Sequence, residues 1–196
     1  MNKIKKNYVL SNNGFTLIEL LLVIVIIGIL AAIVFTNIDV GRLTGRGNDT
    51  KRVADITSVR DGILRELAQG YLTLRPGSFS SLDTNADLVD GTGWVRFTVT
   101  TVAPTPYKLS NLPVLPNDPK KGTSLTYPVL EGTTQKTATA NARYVFCSSI
   151  NGFEINTLLE GDAAKMANDG GDDITAFEVG TDLNACGTTK FGTVNN

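Results

Sequence analysis

The chain has 196 residues, a formal net charge of −1 and no histidine. This length suffices for one modest domain and an anchor. The missing histidine excludes Ser-His and Cys-His nucleophile pairs and histidine metal ligands, and two cysteines cannot form a four-cysteine zinc site. No glycine-rich phosphate loop or nucleophile elbow occurs, so the sequence does not favour an enzyme. The near-neutral charge offers no broad basic surface to nucleic acid.

The N-terminal segment pairs a basic stretch with a long apolar run. Residues 1–14 contain Lys3, Lys5 and Lys6 and no acid, so their removal would change the net charge from −1 to −4, before the new terminal amine is counted. Phe15 to Phe35 follows as 21 residues with one charge. As a helix, this run spans about 30 Å, one hydrocarbon core. Lysines on its N-terminal side predict that this side stays in the cytoplasm.

Three interpretations of this segment compete. A secretory signal peptide would have a shorter apolar core and a small-residue cleavage site, which Ala31-Ala32 matches only weakly. A single-span anchor does not explain Glu19, because a carboxylate costs about 2.5–3.5 kcal/mol at the centre of a span and less near its end. Cleavage after Gly14 would instead give Phe15 a cationic amine one helical turn from Glu19. In a packed bundle, Glu19 could face the amine of a neighbouring copy.

The segment Gly14–Glu19 reads Gly-Phe-Thr-Leu-Ile-Glu and is followed by an apolar helix. Through Asn37 it resembles the type III signal of type IV pilins and type II secretion pseudopilins. The resemblance implies cleavage between Gly14 and Phe15 by a prepilin peptidase and N-methylation of Phe15. It also implies that subunits dock through Glu19 and that the chain has a pilin-like fold.

Two further positions bear on the flexibility of the helix. Gly28 stands where the family has a helix-weakening glycine, and Thr36 stands where the family usually has a proline. The kink attributed to that proline therefore has no basis here. Either Gly28 carries more of the flexibility or the helix is straighter than in the family.

The helical pattern continues beyond the apolar run. Val53, Ile56, Val59, Ile63 and Leu67 recur at three- and four-residue steps, which predicts an amphipathic helix with one buried stripe. The other faces are predicted to carry the charged residues Arg52, Asp55, Arg60, Asp61, Arg65 and Glu66. The predicted division is a leader over 1–14, a transmembrane or filament-core helix over 15–36, its amphipathic continuation over 37–70 and a globular β domain over 71–196.

The pattern beyond the helix predicts a small antiparallel sheet, and with the helix an α+β fold. Strands are predicted over 94–102, 143–147, 153–159 and 175–179, the last at a sheet edge. Asn151-Gly152 predicts a hairpin turn between the middle two. The segment 78–93 is predicted to be a loop, and 103–128, with six of the seven prolines, an extended surface loop. Within it, Leu115–Pro119 is similar to the LPxDP segment of pseudopilin bodies.

The two cysteines lie beyond the predicted span. Cys147 and Cys186 would therefore face an oxidising compartment, where small domains often use disulfides. A bridge would tie the C-terminal segment to the hairpin, and two unpaired buried thiols are the alternative. The bridge would resemble the disulfides near the C-terminus of many pilins.

Acidic residues gather in a glycine-rich segment at 168–173. Asp169, Asp172 and Asp173 offer hard oxygen ligands around two glycines, which suits calcium, although the spacing is not that of an EF-hand. The segment resembles the calcium loop of major pseudopilins in position and composition. A solvated acidic turn is the alternative, and the two interpretations stay open.

These observations favour a non-enzymatic structural subunit of a type IV pilus-like filament. The expected partners are other copies of the chain, a prepilin peptidase, the pilus or secretion assembly machinery and the membrane. The chain would be a single-pass cytoplasmic membrane protein with its globular domain outside, and later part of an extracellular pilus or a periplasmic pseudopilus. A pseudopilin of type II secretion or DNA uptake is one alternative, and a membrane-anchored binding module that never polymerises is another.

Overall fold

A computed structural model of the chain describes residues 14–37, 39–109, 112–187 and 191–195, so the predicted leader lies outside the described residues except for Gly14. The chain divides into two compact units, Met1–Val40 and Gly41–Asn196. Helix α1 (Leu17–Asn37) forms most of the described part of the first unit. Its stretch Leu17–Phe35 has a mean hydropathy of 3.2, and no other helix in the described ranges is long and apolar enough to cross a membrane.

Helix α2 (Val40–Ala68) belongs almost entirely to the second unit. Ile56, Val59 and Ile63 are fully buried, and Val53 and Leu67 pack partly against them, so the predicted stripe is confirmed. A helix with one apolar face buries that face against the sheets of its own domain.

Two charged residues of α2 depart from the prediction. Arg52 and Glu66 were expected on the outer faces of the helix and are instead 0% and 1% exposed. Each has a specific polar partner far along the chain: Arg52 binds Asp118, and Glu66 accepts a hydrogen bond from the hydroxyl of Tyr107. Buried charges are tolerated when they are paired in this way.

The remainder of the second unit is mostly strand and loop. The elements are β1 (Leu72–Leu74), β2 (Gly77–Ser80), β3 (Phe97–Val99), β4 (Ser124–Glu131), β5 (Thr134–Asn141), β6 (Val145–Ser148), β7 (Phe153–Thr157), α3 (Ala163–Ala167), β8 (Phe177–Gly180) and β9 (Thr193–Asn195). β1 pairs with β3, a four-stranded sheet has the order β2-β6-β7-β8, and a three-stranded sheet has the order β4-β5-β9. All pairings are antiparallel, and the predicted α+β class is confirmed.

Several strand predictions are confirmed and others are corrected. The β6–β7 hairpin around Asn151-Gly152 and the edge strand β8 are present. The strand predicted over 94–102 is only β3, and the predicted loop 78–93 begins inside β2. The proline-rich segment 103–128 ends inside β4, which pairs with the unpredicted β5. Pro128 is accommodated because β4 is an edge strand, where a missing N–H breaks no ladder.

Aromatic side chains dominate the core that α2 and the strands share. The rings of Trp94 and Tyr144 lie 5.7 Å apart, and those of Phe146 and Phe153 lie 6.0 Å apart. All four side chains are fully buried. The second unit therefore has an apolar core of its own.

Candidate functional site

Helix α1 begins at a defined cap. The N–H of Glu19 donates to Oγ1 of Thr16 at 3.3 Å, and the Thr16 carbonyl accepts from Glu19 and Leu20 at 3.1 and 3.2 Å. A threonine oxygen on the third amide of a helix is the usual N-cap arrangement. Glu19 thus lies in the first turn, where a carboxylate interacts favourably with the helix dipole by about 0.3–1 kcal/mol. Gly14 and Phe15, the predicted processing positions, immediately precede this cap.

The apolar side chains of α1 are exposed in the single chain. Leu17 is 86% exposed, Ile27 58% and Phe35 76%. Apolar surface in water costs about 25 cal/mol per Å², so a helix of this kind needs lipid or other protein around it. The helix is unbroken at Gly28, where an added Cβ would meet nothing within 4 Å, and its backbone stays helical through position 36.

A disulfide joins Cys147 on β6 to Cys186, as predicted. The two Cα atoms lie 5.1 Å apart and the bridge spans 39 residues of sequence. A bridge over a loop of this length stabilises the fold by about 4 kcal/mol in the loop-entropy model. It fixes the start of the C-terminal segment to the four-stranded sheet.

A second candidate site lies at the edge of that sheet. Carboxylate oxygens of Glu154 on β7, Asp172 in the loop before β8, and Glu178 on β8 all lie within 4.8 Å of one another. Glu154 and Glu178 are 0% and 2% exposed, whereas Asp172 is exposed. Asn156, which pairs with Glu178 in the strand register, is also buried.

Three buried oxygens of this cluster lack a hydrogen-bond partner among the described residues. They are Oε1 of Glu154, Oδ1 of Asn156 and Oε1 of Glu178. Burial, and then contact with the carboxylate of Glu154, raises the pKa of Glu178 to about 10. Buried acceptors without donors are costly, and two facing carboxylates repel. A proton shared by the glutamates would satisfy two of the oxygens, whereas a hard cation could bind the carboxylate oxygens of Glu154, Asp172 and Glu178.

The loop aspartates have other roles in this geometry. Asp169 accepts from the N–H groups of Gly171 at 2.9 Å and Glu178 at 2.8 Å, and burial raises its pKa. Asp173 accepts from the N–H of Thr175 at 2.9 Å and from the N–H of Phe191. Of the three aspartates predicted as calcium ligands, only Asp172 therefore lies in the group of three carboxylates.

The two glutamates were missed, although the sequence carries a signal for them. Each is flanked by apolar residues in a short strand, in Phe-Glu-Ile at 153–155 and Phe-Glu-Val at 177–179. An acid within an apolar run is costly to bury and suggests a partner. Gly171 is needed beside them, because a Cβ there would lie 1.4 Å from Oε2 of Glu178.

The Leu115–Pro119 segment has a structural partner in α2. Asp118 accepts from Nε and Nη2 of Arg52 at 2.8 and 3.0 Å, and Glu160 accepts from Nη1 at 2.8 Å. Asp49 also binds Arg52 and accepts from the N–H groups of Glu160 and Gly161. The carboxylates of Asp118 and Glu160 raise the pKa of the arginine against the effect of its burial. These contacts of Asp49 and Arg52 hold α2 against the loop that contains Asp118 and the loop that contains Glu160 and Gly161.

Residues 10–35 match the family model described as the prokaryotic N-terminal methylation motif. The match covers the cap, Glu19 and most of α1, and its first four positions lie outside the described residues. No curated protein and no solved structure matches the chain.

Proposed function

The chain carries the N-terminal prepilin signal of the type IV pilin and pseudopilin family, and on that premise we propose that it is a structural subunit of a type IV pilus-like filament. Prepilin peptidase removes residues 1–14 and Phe15 is methylated. The mature subunit polymerises through α1. The observation that carries this proposal is a capped apolar helix with exposed side chains, which begins at the matched motif.

Two environments can cover α1 in turn. Before assembly, the lipid bilayer surrounds it, with the globular unit outside the cytoplasmic membrane. In the filament, α1 helices of neighbouring copies pack together, and burial at about 25 cal/mol per Å² makes this bundle the main cohesive contact. Glu19 then pairs with the Phe15 amine of a neighbour, because an unpaired carboxylate in an apolar bundle is costly.

Two kinds of filament are candidates, an extracellular pilus and a periplasmic pseudopilus. The globular unit, Gly41–Asn196, is long for a pseudopilin, which favours the pilus. Assembly in either case needs an extraction machine, because α1 must leave the bilayer. Imaging of cell-surface filaments, with identification of their subunit by mass spectrometry, tests the pilus assignment. A filament found only when the chain is overproduced together with a secretion system would favour the pseudopilus.

The rival from another class is an anchored binding module that never polymerises. It predicts an intact leader and the same membrane-bound protein whether position 19 is glutamate or alanine. The filament proposal predicts that cells with Glu19→Ala keep the protein in the membrane and lack filaments.

We also propose that the acidic cluster binds a hard divalent cation, with calcium as the best fit. Glu154, Asp172 and Glu178 would hold it, and Oδ1 of Asn156 is a further candidate ligand. The buried oxygens that lack partners support this proposal, because calcium takes six to eight oxygen ligands in flexible geometry. Bound calcium would neutralise the facing glutamates. Isothermal titration of the full chain in detergent with calcium tests it, and Asp172→Asn should weaken the binding.

A further inference from the structure

Arg143 lies just beyond β5 and is half-buried without an acid beside it. Its Nη1 and Nη2 atoms donate to the carbonyls of Asn141 at 3.1 Å and Phe191 at 3.2 Å. No carboxylate among the described residues lies within ion-pair distance of its guanidinium, whereas the half-buried Lys120 pairs with Glu160. Burial lowers the pKa of Arg143, as expected for a cation that is partly removed from water. Within the described part of the chain, the charge of Arg143 is therefore not compensated.

The guanidinium of Arg143 is also held in place. Its Cζ atom lies 4.5 Å from the centre of the Phe191 ring, so a cation–π contact is added to the two hydrogen bonds. A guanidinium has five N–H donors, and the two carbonyls use two of them, so three have no partner among the described residues. A fixed guanidinium with free donors is the group that proteins use to bind planar carboxylates.

Arg143 lines an open cavity beside β5 and β9. The volume of this cavity is about 640 Å³, within the range of about 300–1,000 Å³ that is usual for small-ligand sites. No acidic residue in the described part of the chain lines it. Residues with neutral hydroxyl or amide side chains, which donate and accept hydrogen bonds, complete its polar lining: Ser124, Thr139, Asn141 and Thr193. The site thus combines one cation with several neutral hydrogen-bonding groups.

We propose that this cavity, the Arg143 pocket, binds a uronic acid residue of an acidic polysaccharide. The carboxylate of the sugar accepts from the free N–H groups of Arg143, and its hydroxyls bond to the neutral polar side chains of the lining. An inorganic anion fills only a small part of such a cavity, and the acidic side chains of a peptide carry no hydroxyl groups. One carboxylate and several hydroxyls on a single small ring are the chemistry of a uronic acid.

In a filament every subunit would present one Arg143 pocket, a consequence that rests on the filament proposal above. A polyuronate has many equivalent rings, so several pockets can bind one polymer, and the effective concentration then raises the overall affinity above that of a single site. The affinity of a single pocket does not depend on assembly. It can therefore be measured on the unassembled chain, and its failure would leave the filament proposal standing.

Isothermal titration of the full chain in detergent with trigalacturonate tests the pocket, with chelator present so that calcium cannot bridge protein and sugar. The methyl ester of trigalacturonate keeps its hydroxyls and loses the charges, whereas triglutamate keeps carboxylates and has no hydroxyls. Trigalacturonate should bind at least about tenfold more tightly than either, since hydrogen bonds to charged groups are the stronger ones. Absence of trigalacturonate binding, or equal binding of its methyl ester, would overturn the proposal. Equal binding of triglutamate would indicate a site for acidic peptides and would overturn it as well.

Two variants test whether the sugar binds in this cavity. Arg143→Gln removes the charge and should weaken binding at least about tenfold, and its unfolding curve, read through Trp94, shows whether the fold is kept. Ser124→Glu adds a carboxylate at an exposed lining position of β4 and should weaken binding by repulsion without loss of a buried contact. Gln135→Glu is the matched control, because it adds the same charge at an exposed position of β5 outside the cavity, and it should bind normally. Unchanged binding in either of the first two variants, or an equal loss in the control, would overturn the pocket.

Discussion

The two compact units differ in the exposure of their apolar side chains. In the first, α1 exposes nearly all of its leucine, isoleucine and valine side chains. In the second, Ile56, Ile63 and Trp94 are completely buried in a core of α2 and the strands. The second unit is therefore stabilised by its own core, whereas the first needs lipid or other protein around it. Substitutions in α1 should therefore change processing and assembly, and substitutions in the globular unit should change folding.

The largest effect is expected at the processing position. Gly14→Val places a β-branched side chain at the predicted scissile bond and should block cleavage, so that the leader is retained and filaments are absent. Immunoblotting of membrane fractions checks the size of the product. Gly28→Ala is the control, because the added Cβ meets nothing within 4 Å, and it should be cleaved normally. Normal cleavage of Gly14→Val would contradict the assigned position.

The next largest effect is expected from a substitution in α1 that impairs filament assembly and leaves the folding of the globular unit unchanged. Glu19→Ala should reduce filament yield at least about tenfold, since loss of one buried charge pair of about 1.4 kcal/mol already gives this factor. The unfolding curve of the globular unit, followed through Trp94, should not change. Thr16→Ala removes only the cap and is the matched control. Equal losses in both variants would assign Glu19 to helix capping instead.

Substitution of the buried Arg52 should destabilise the globular unit. Arg52→Ala leaves Asp118 and Asp49 buried without their partner and should reduce the free energy of unfolding by about 3–5 kcal/mol. Arg60→Ala removes a surface pair with Asp61 and should cost less than about 1 kcal/mol. Denaturant titration of the chain in detergent, read through Trp94, compares them. Similar losses in both variants would contradict the role of the network.

Calcium should stabilise the globular unit alone. At one hundred times the Kd, binding to the folded state adds about 2.7 kcal/mol to the free energy of unfolding, and magnesium should add less because it demands tighter geometry. The Trp94 melting curve with calcium, magnesium or chelator measures this. Asp172→Asn should remove the difference. If the melting curves of the unaltered chain with calcium and with chelator coincide, the cation proposal is wrong and the segment 168–173 is a solvated acidic turn.

A separate effect is expected from pH in the presence of a chelator. The pKa of Glu178 is raised from 4.5 to about 10 in the folded chain, so between these values the folded state holds a proton that the unfolded state has lost. The free energy of unfolding should therefore fall as pH rises from 5 to 8. Glu178→Gln needs no proton and should flatten this slope in the Trp94 unfolding assay. A slope that is unchanged in this variant would show that another group is responsible.

Features that depend on near neighbours in sequence could be predicted. The stripe of α2 follows from helical periodicity, and the β6–β7 hairpin follows from alternation around Asn151-Gly152. The apolar run of α1 can be predicted from composition alone. The disulfide followed from the compartment and from there being only two cysteines.

Features that depend on distant partners could not be predicted. Arg52 was placed on the outer face because its partners lie 66 and 108 residues away. The candidate calcium ligands were predicted in the loop at 168–173 alone, whereas two of the three clustered carboxylates belong to Glu154 and Glu178 on the paired strands β7 and β8. The β4–β5 hairpin was missed because Pro128 argues against a strand unless that strand is known to be an edge.

Intact-mass measurement of the protein recovered from assembled filaments tests the central claim most directly. The expected species contains residues 15–196, begins with a methylated Phe15 and keeps the Cys147–Cys186 bridge. The membrane pool of cells that lack the peptidase should contain the complete chain and serves as the reference. A filament subunit that still begins with Met1, or begins at another residue, would contradict assembly through a processed α1.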